Sequence, residues 1–503
     1  MEKFYLSTAI AYVNAPPHIG HALEFIQADA LARFYRLRDV DTFFLTGTDE
    51  HGVKIYERAQ EEKMDTQDFV DMNAKKFFEL GGKLNLSNDD FIRTTQARHK
   101  DGVKEIWERI FAKGDIYKGT YEGKYCVGCE SFIADKDLDE DGNCLIHKKA
   151  PQMLSEDNYF FKLSKYSDRI KDAIKSGEMV VLPESRKNEI LNIIGDEGLR
   201  DVSFSRPKNV LPWGVDVPND DSQVMYVWCD ALSNYATGVG FNADMDRFNR
   251  YWPCNAHIIG KDILRFHAGI WVGMLMAADI EIPKAIYVHG FVTSEGQKMS
   301  KSLGNVVDPL EYIEKYGTDA LRYYLLREIP TTDDGDFSHS RFLEVFNSEL
   351  ANGIGNFVNR VLMMTDKYFD GKVPAAGETP EFLNELNDKF KSYIRYFDSY
   401  DIKKACEVAL EVVMLGNKYI DDKKPWAMAK EGDEKLSEVL YNLNELLRYV
   451  ASMFLPFVPD SVAKICEQSG VNFEELNLNL NWGVLKEGTS VNPAGVIFPR
   501  LED

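Results

Sequence analysis

Through its first 115 residues the chain alternates short unbroken apolar runs with apolar positions spaced three or four apart. Phe4 to Ala11 reads as a buried strand, and Gly20 to Arg38 as an amphipathic helix with Leu23, Ile26, Ala30, Leu31 and Phe34 on one stripe. Thr42 to Thr46 predicts a second strand, ending in the turn Gly47-Thr48-Asp49-Glu50-His51-Gly52. A third short strand near Phe91-Ile92 and a helix from Lys100 to Lys113 follow. Such alternation predicts a parallel sheet with crossover helices, whose ligands sit at the carboxyl ends of the strands.

The rhythm changes between about Gly114 and Asp220, where short Tyr- and Gly-rich strands surround a cysteine cluster and Pro207, Pro212 and Pro218 punctuate the exit. The stretch reads as an insertion. The βα pattern then resumes with strands at Val224–Trp228, Ala256–Ile259 and Ala285–His289 and a helix from Ile263 to Met276. From residue 340 onward the pattern is almost wholly helical, with apolar residues at three-to-four spacing in 342–369, 382–398, 402–420, 434–454 and 459–468. The expected division is 1–114 and 221–292 for two halves of a nucleotide-binding domain, 115–220 for the insertion, 293–349 for a lysine loop and stem-contact region, and 350–503 for a helical bundle.

At 503 residues and 44% hydrophobic content, the chain has length for two to four domains and a large core. It offers no long uncharged apolar run and no signal peptide before its first strand, so a cytoplasmic protein without membrane spans is expected. A net charge of −22 argues against a general polyanion binder; any RNA must be held by local basic and aromatic patches. Seven cysteines, an odd number with three of them between Cys126 and Cys144, fit metal binding in a reducing compartment better than a disulfide framework.

Two short stretches carry the chemistry. Pro17-His18-Ile19-Gly20-His21 lies where the first strand runs into a helix, and Lys298-Met299-Ser300-Lys301-Ser302 lies in a Gly-flanked loop. A helix N-terminus with histidines suits phosphate oxygens. A loop with two lysines can neutralise the charge of a departing pyrophosphate. Alone, the first is an ordinary pair of polar residues and the second a solvated basic turn. In this order and context they are read together, and they look like the two signatures of a class I aminoacyl-tRNA synthetase.

Cys126-Val-Gly-Cys129 and Cys144-Leu-Ile-His147 give the C-x₂-C…C-x₂-H spacing of a tetrahedral zinc knuckle, with iron–sulfur as the less fitting metal. Four protein ligands would close the shell, making the zinc structural, one per chain. Asp49, at a strand's carboxyl end, suits an α-ammonium group or simply caps a turn. Trp228, Ala231 and Tyr235 fall at i, i+3 and i+7 and read either as core packing or as an apolar pocket. His267 is a core histidine or a pocket wall. Asn356 and Arg360 share one helical face, and Trp426 follows Pro425 at another helix start. They read as a surface pair and a buried Trp, or as a site where single-stranded bases stack and hydrogen-bond.

Taken together the chain resembles the methionyl-tRNA synthetases of the bacterial single-zinc-knuckle type over essentially its full length. The resemblance rests on Ala9 to His21, Gly47 to Gly52, Trp228-Cys229-Asp230-Ala231-Leu232-Ser233-Asn234-Tyr235, Gly260-Lys261-Asp262-Ile263-Leu264-Arg265-Phe266-His267, Val288 to Phe291, Leu350 to Arg360 and Lys424-Pro425-Trp426. It implies an α/β fold: a Rossmann-like parallel-sheet domain with an inserted zinc-binding connective domain and a C-terminal all-α bundle that binds the anticodon. His18, Gly20, His21, Gly260, Asp262, His289, Lys298, Ser300 and Lys301 would then hold ATP, with His18, His21, Lys298 and Lys301 acting in catalysis and Mg²⁺ accompanying the nucleotide. L-Methionine would lie against Ile10, Tyr12, Trp228, Ala231, Leu232, Tyr235, Ile263 and His267, its ammonium on Asp49. Asn356, Arg360 and Trp426 would read the CAU anticodon of initiator and elongator tRNA(Met).

Ala11 stands where the family commonly has Pro. An insertion of about 105 residues seats a knuckle but no separate editing domain, so proofreading is expected in the synthetic site. With no dimerisation module following the helices, a monomer is expected. Cysteinyl-tRNA synthetase is the rival enzyme, but its zinc lies in the amino-acid pocket. An idle tRNA-binding paralogue would have no need of His18, His21, Lys298 and Lys301, and a small-molecule nucleotidyltransferase would have no need of the helical region.

Overall fold

The computed structural model describes residues 2–126, 131–133, 138–145, 148–299 and 305–501. Its centre is a seven-stranded sheet in which every pairing is parallel. Lys3–Thr8 lies between Asp41–Asp49 and Ala256–Gly260; Asp90–Arg93 flanks the former, Ala285–His289 and then Val180–Leu182 extend the latter, and the two-residue strand Ala11–Tyr12 pairs with the end of Asp41–Asp49. Strand order therefore reverses beside Lys3–Thr8, where a parallel sheet opens its ligand crevice. The helix Ile19–Arg36 packs on this sheet by the apolar stripe read from the sequence, with Leu23, Ile26, Ala30, Leu31 and Phe34 all buried.

Three expectations change. The second strand runs on to Asp49 instead of stopping at Thr46, because Thr48 and Asp49 find backbone partners in Ala11 and Tyr12. Val224-Met225 ends the antiparallel strand Asp220–Met225 of a separate three-stranded sheet, and a helix begins at Val227, so Trp228 is helical and not in a strand. The helix expected from Ile263 to Met276 is broken into a 3₁₀ turn at Lys261–Ile263, a π-helical stretch at Phe266–Trp271 and an α-helix at Val272–Ala277. Apolar spacing cannot tell these apart, and π segments recur at functional sites.

Between the two halves of the sheet, Ile116–Cys126 and Gln152–Phe161 form a long antiparallel hairpin. The helices Ser167–Ser176 and Glu184–Ile194, unmarked in the sequence reading, flank Val180–Leu182, which joins the main sheet. After the sheet, Val292–Ser294 pairs with Gln297–Lys298 and with Gly335–Phe337. The remainder is helical: His339–Val345 continues through a π stretch into Asn356–Phe369, followed by Leu383–Asp398, Ile402–Lys423, Pro425–Glu431, Leu436–Phe454 and Pro459–Ser469.

One buried cation fastens these helices to the sheet domain. Arg322 donates to Asp29 at 2.7 Å, to Leu84 O at 2.9 Å, and to Pro456 O and Phe457 O at 2.9 and 3.2 Å. Both ionic partners are fully enclosed; Asp29 also keeps Arg33 at 2.8 Å, so it is the loss of Asp29 that leaves a buried charge, on Arg322, without a carboxylate in contact, at a cost of about 3–5 kcal/mol. No helix among the described residues is long and apolar enough to cross a membrane.

Candidate active site

His18 takes an extended conformation as the N-cap of the helix Ile19–Arg36. Its Nδ1 accepts the Gly20 N–H at 3.1 Å, and its own N–H donates to Nδ1 of His21 at 3.2 Å. A main-chain N–H can only donate, so each Nδ1 is an acceptor and each neutral ring carries its proton on Nε2. Burial holds both imidazoles below their ordinary pKa, His21 the further, with the neighbouring His18 and His289 adding to the shift. The helix start thus carries two neutral Nε2–H donors at the positive end of the helix dipole, an arrangement suited to phosphate oxygens. Gly20 is required here, since a Cβ would come within 2.9 Å of His18 Cε1.

One helical turn on, Glu24 Oε2 meets His289 Nε2 at 2.9 Å. Burial disfavours a charge on His289, but the Glu24 hydrogen bond and charge outweigh it and raise its pKa, aided by Gly290 O and Asp262. Gly260 closes the group: a Cβ there would lie 2.9 Å from Asp262 Oδ1 and 3.9 Å from the His289 ring. His18, His21, Gly260, Asp262 and His289 therefore gather at the carboxyl ends of the central strands. Glu24 was missed in the sequence; its i+3 spacing from His21 was the available signal.

The apolar side is built from both halves of the sheet domain. Ile10, Trp228, Leu232, Tyr235 and Ile263 belong to one hydrophobic cluster, with Ala231 buried on the same short helix as Trp228. Tyr235 Oη lies 2.6 Å from His267 Nε2, and His267 Nδ1 lies 3.0 Å from Ile263 O. Only a donor can face that carbonyl, so Nδ1 is protonated and Nε2 accepts the Tyr235 hydroxyl. Burial pushes His267 down to about 4, against the pull of Ile263 O, and keeps it neutral. Trp228 stacks on Phe266 at 3.6 Å, a partner that apolar spacing did not single out. Asp49 and Tyr12 are direct register partners.

Ser300 and Lys301 lie outside the described residues, as do Cys129 and His147. The main chain of Lys298 pairs with Thr293, and Asp336 accepts from Thr293 Oγ1 and from Gly296 N–H, both at 2.7 Å. Beyond the lysine stretch the chain returns to the histidine pair, where Ile19 N–H donates to Val307 O at 3.3 Å. The segment that follows the lysines thus adjoins the helix start that bears His18. Cys126 and Cys144 are both buried in one small cluster with Ile133, which places two thiols of the expected knuckle together. On the helical region, Arg360 donates to Asp421 at 2.6 Å and its guanidinium sits 5.8 Å from the ring of Trp426, which is 46% exposed; Asn356 is exposed one turn earlier.

A parallel-sheet crevice lined by a capped histidine pair, ahead of a helical region, defines a class I aminoacyl-tRNA synthetase. Residues 4–144 and 136–362 match the family model described as tRNA synthetases class I (M), and residues 371–503 that of the anticodon binding domain of methionyl tRNA ligase. The chain belongs to the methionyl-tRNA synthetase family. It is 44% identical over 520 positions to a methionine–tRNA ligase of Listeria innocua, covering 99% of this chain and 78% of that protein. It is 41% identical over 510 positions to one of Rickettsia felis, covering 99% and 98%. Mycobacterium tuberculosis methionyl-tRNA synthetase in complex with methionyl-adenylate superposes with a TM-score of 0.94 at 40% identity, covering 99% of this chain and all of the other.

Proposed function

We propose that this protein ligates L-methionine to tRNA(Met) at the expense of ATP, through methionyl-adenylate, releasing pyrophosphate and AMP. The observation that carries the reading is the His18–His21 pair beside the Glu24–His289 pair, with Tyr235, the partner of His267, within electrostatic reach of both Glu24 and Asp49. The methionine carboxylate attacks the α-phosphorus in line; the new C–O–P bond forms as the bond to pyrophosphate breaks. The carboxylate is already ionised, so the step needs positioning and charge stabilisation, not a strong base. His18 and His21 donate from Nε2 to phosphate oxygens, Gly20, Gly260, Asp262, His289 and Ser300 complete the nucleotide site, and Lys298 and Lys301 offset the pyrophosphate charge; Mg²⁺ accompanies ATP. A ribose hydroxyl of the terminal adenosine of the tRNA then takes the methionyl group and AMP departs.

Ile10, Tyr12, Trp228, Ala231, Leu232, Tyr235, Ile263 and His267 enclose the methionine side chain, and Asp49 takes the ammonium. Cys126, Cys129, Cys144 and His147 would hold one Zn²⁺; the burial of Cys126 with Cys144 fits that donor set. The metal would supply a cross-link within the stretch 115–220 and no chemistry. Asn356, Arg360 and Trp426 read the anticodon, a reading supported by an exposed indole beside a guanidinium. The chain divides at 1–114, 115–220, 221–292, 293–349 and 350–503, with Val180–Leu182 of the second stretch adding a strand to the central sheet, and the protein is read as a cytoplasmic monomer. ATP–pyrophosphate exchange tested against all twenty amino acids, followed by aminoacylation of tRNA(Met), decides the matter: exchange driven by methionine is expected, and exchange driven by another amino acid, or none, would refute it.

A further inference from the structure

The amino-acid site is assembled from separate parts of the chain. Asp49 ends the strand Asp41–Asp49, whereas Trp228, Ala231 and Tyr235 lie on the short helices Val227–Leu232 and Asn234–Gly238. A ligand whose ammonium meets one part and whose side chain meets the other needs their separation fixed. A buried carboxylate between two histidines does this. Asp230, 0% exposed, sits between two buried imidazoles: His51 Nδ1 lies 2.6 Å from its Oδ2, and His99 Nε2 lies 2.8 Å from its Oδ1. His51 belongs to the turn two residues after Asp49, and His99 to the helix Ala97–Ala112.

The second nitrogen of His99 faces Thr237 Oγ1 at 2.8 Å, on the same short helix as Tyr235. The turn itself is held from two other sides. The Glu50 carboxylate takes Arg93 Nε and Nη2 at 2.6 and 2.9 Å, and Glu50 O accepts the indole N–H of Trp213 at 2.6 Å, whose ring centroid lies 5.5 Å from that of His51. These contacts tie the turn to the strand Asp90–Arg93 and to Trp213. The His51–Asp230 bond runs directly from the turn to the helix bearing Trp228 and Ala231.

We propose that Asp230 is a positioning residue of the methionine site: its carboxylate, through His51 and His99, fastens the turn carrying Asp49 to the helices carrying Trp228, Ala231 and Tyr235, and so sets the spacing that admits the amino acid. This rests on the reading of Asp49 and the apolar cluster as the methionine site. Burial by itself would raise the Asp230 carboxyl, but the paired histidines hold it well below the usual carboxylate range. An ionised Asp230 has an acceptor for each imidazole N–H. In Asp230→Asn one carboxyl oxygen becomes an NH₂ group, so one of the two histidines faces donor against donor.

The test measures methionine Kd by calorimetry without ATP, and KM for methionine and ATP in pyrophosphate exchange, on the full chain. Wild-type exchange with methionine is checked first; its absence would refute the proposed function, whereas the variants judge only the clamp. Asp230→Asn is expected to raise methionine Kd and KM roughly ten-fold or more, with KM for ATP changed less than about two-fold. His51→Ala should do the same, and His51→Asn, whose amide N–H can stand in for Nδ1–H, should recover most of the affinity. Equal weakening of methionine and ATP, or unchanged methionine binding in Asp230→Asn, overturns the proposal. If Asp230→Asn does not fold, the His51 pair decides: Asn and Ala behaving alike overturns it, and rescue by Asn supports it.

Discussion

The rings of His18 and His21 face each other with centroids 4.0 Å apart, and the main chain of the first donates to the ring of the second. This contact does more than finish a helix. Together with the Gly20 N–H on His18 Nδ1 it occupies both Nδ1 atoms, so the tautomer of each ring is set by the backbone before any ligand arrives. Edge-on packing of Phe77 against His21, at 5.0 Å, holds that ring in place.

Removing a donor aimed at developing charge should slow chemistry without touching amino-acid binding. His21→Ala and Lys301→Ala are each expected to reduce adenylate formation by roughly 10²–10³. Methionine Kd, measured without ATP, should stay near the wild-type value. A pure binding defect in either variant would contradict the assigned role.

Acid should weaken the fold in a defined window. Burial lowers the folded pKa of His18, His21, His257 and His267, so between the folded values and about 6.5 the unfolded chain binds more protons than the native one. Stability is therefore full above about pH 6.5 and falls as pH drops toward 4; His267 alone, shifted to about 4, contributes on the order of 3 kcal/mol to that loss. His289, whose pKa is raised, works in the opposite sense, stabilising at low pH. Urea midpoints at pH 7.5, 6.5 and 5.5 should decline in that order, and a flat series would refute the argument.

Metal analysis of the purified protein should return about one zinc per chain, as a closed four-ligand site requires. Cys126→Ser together with Cys144→Ser should abolish binding and open the hairpin Ile116–Cys126/Gln152–Phe161 to proteolysis. Exchange activity should fall with it. Full activity in zinc-free protein would remove the structural role.

Trp426→Ala should lower kcat/KM for tRNA(Met) by about ten- to a hundred-fold, the loss of roughly 1–3 kcal/mol expected for one base stacked on an aromatic ring. Exchange without tRNA should keep its wild-type rate. Equal loss in both assays would place the effect in folding instead of anticodon reading.

The sequence alone settled much of this protein. Local pattern carried the strands at Lys3–Thr8, Ala256–Gly260 and Ala285–His289 and the long C-terminal helices, because apolar period is a property of neighbouring residues. The helix start at His18 was legible for a related reason, since the strand-to-helix change and the two histidines lie within a few positions of one another. Tertiary structure decided everything that depends on distant partners. Thr48 and Asp49 became strand because Ala11 and Tyr12 lie beside them; Trp228 became helical as an antiparallel strand ended before it. Glu24 found His289 across 265 positions, and Asp230 joined His51 to His99. No local period encodes a hydrogen bond between residues hundreds of positions apart, since only the packed fold brings their donors and acceptors within 3 Å.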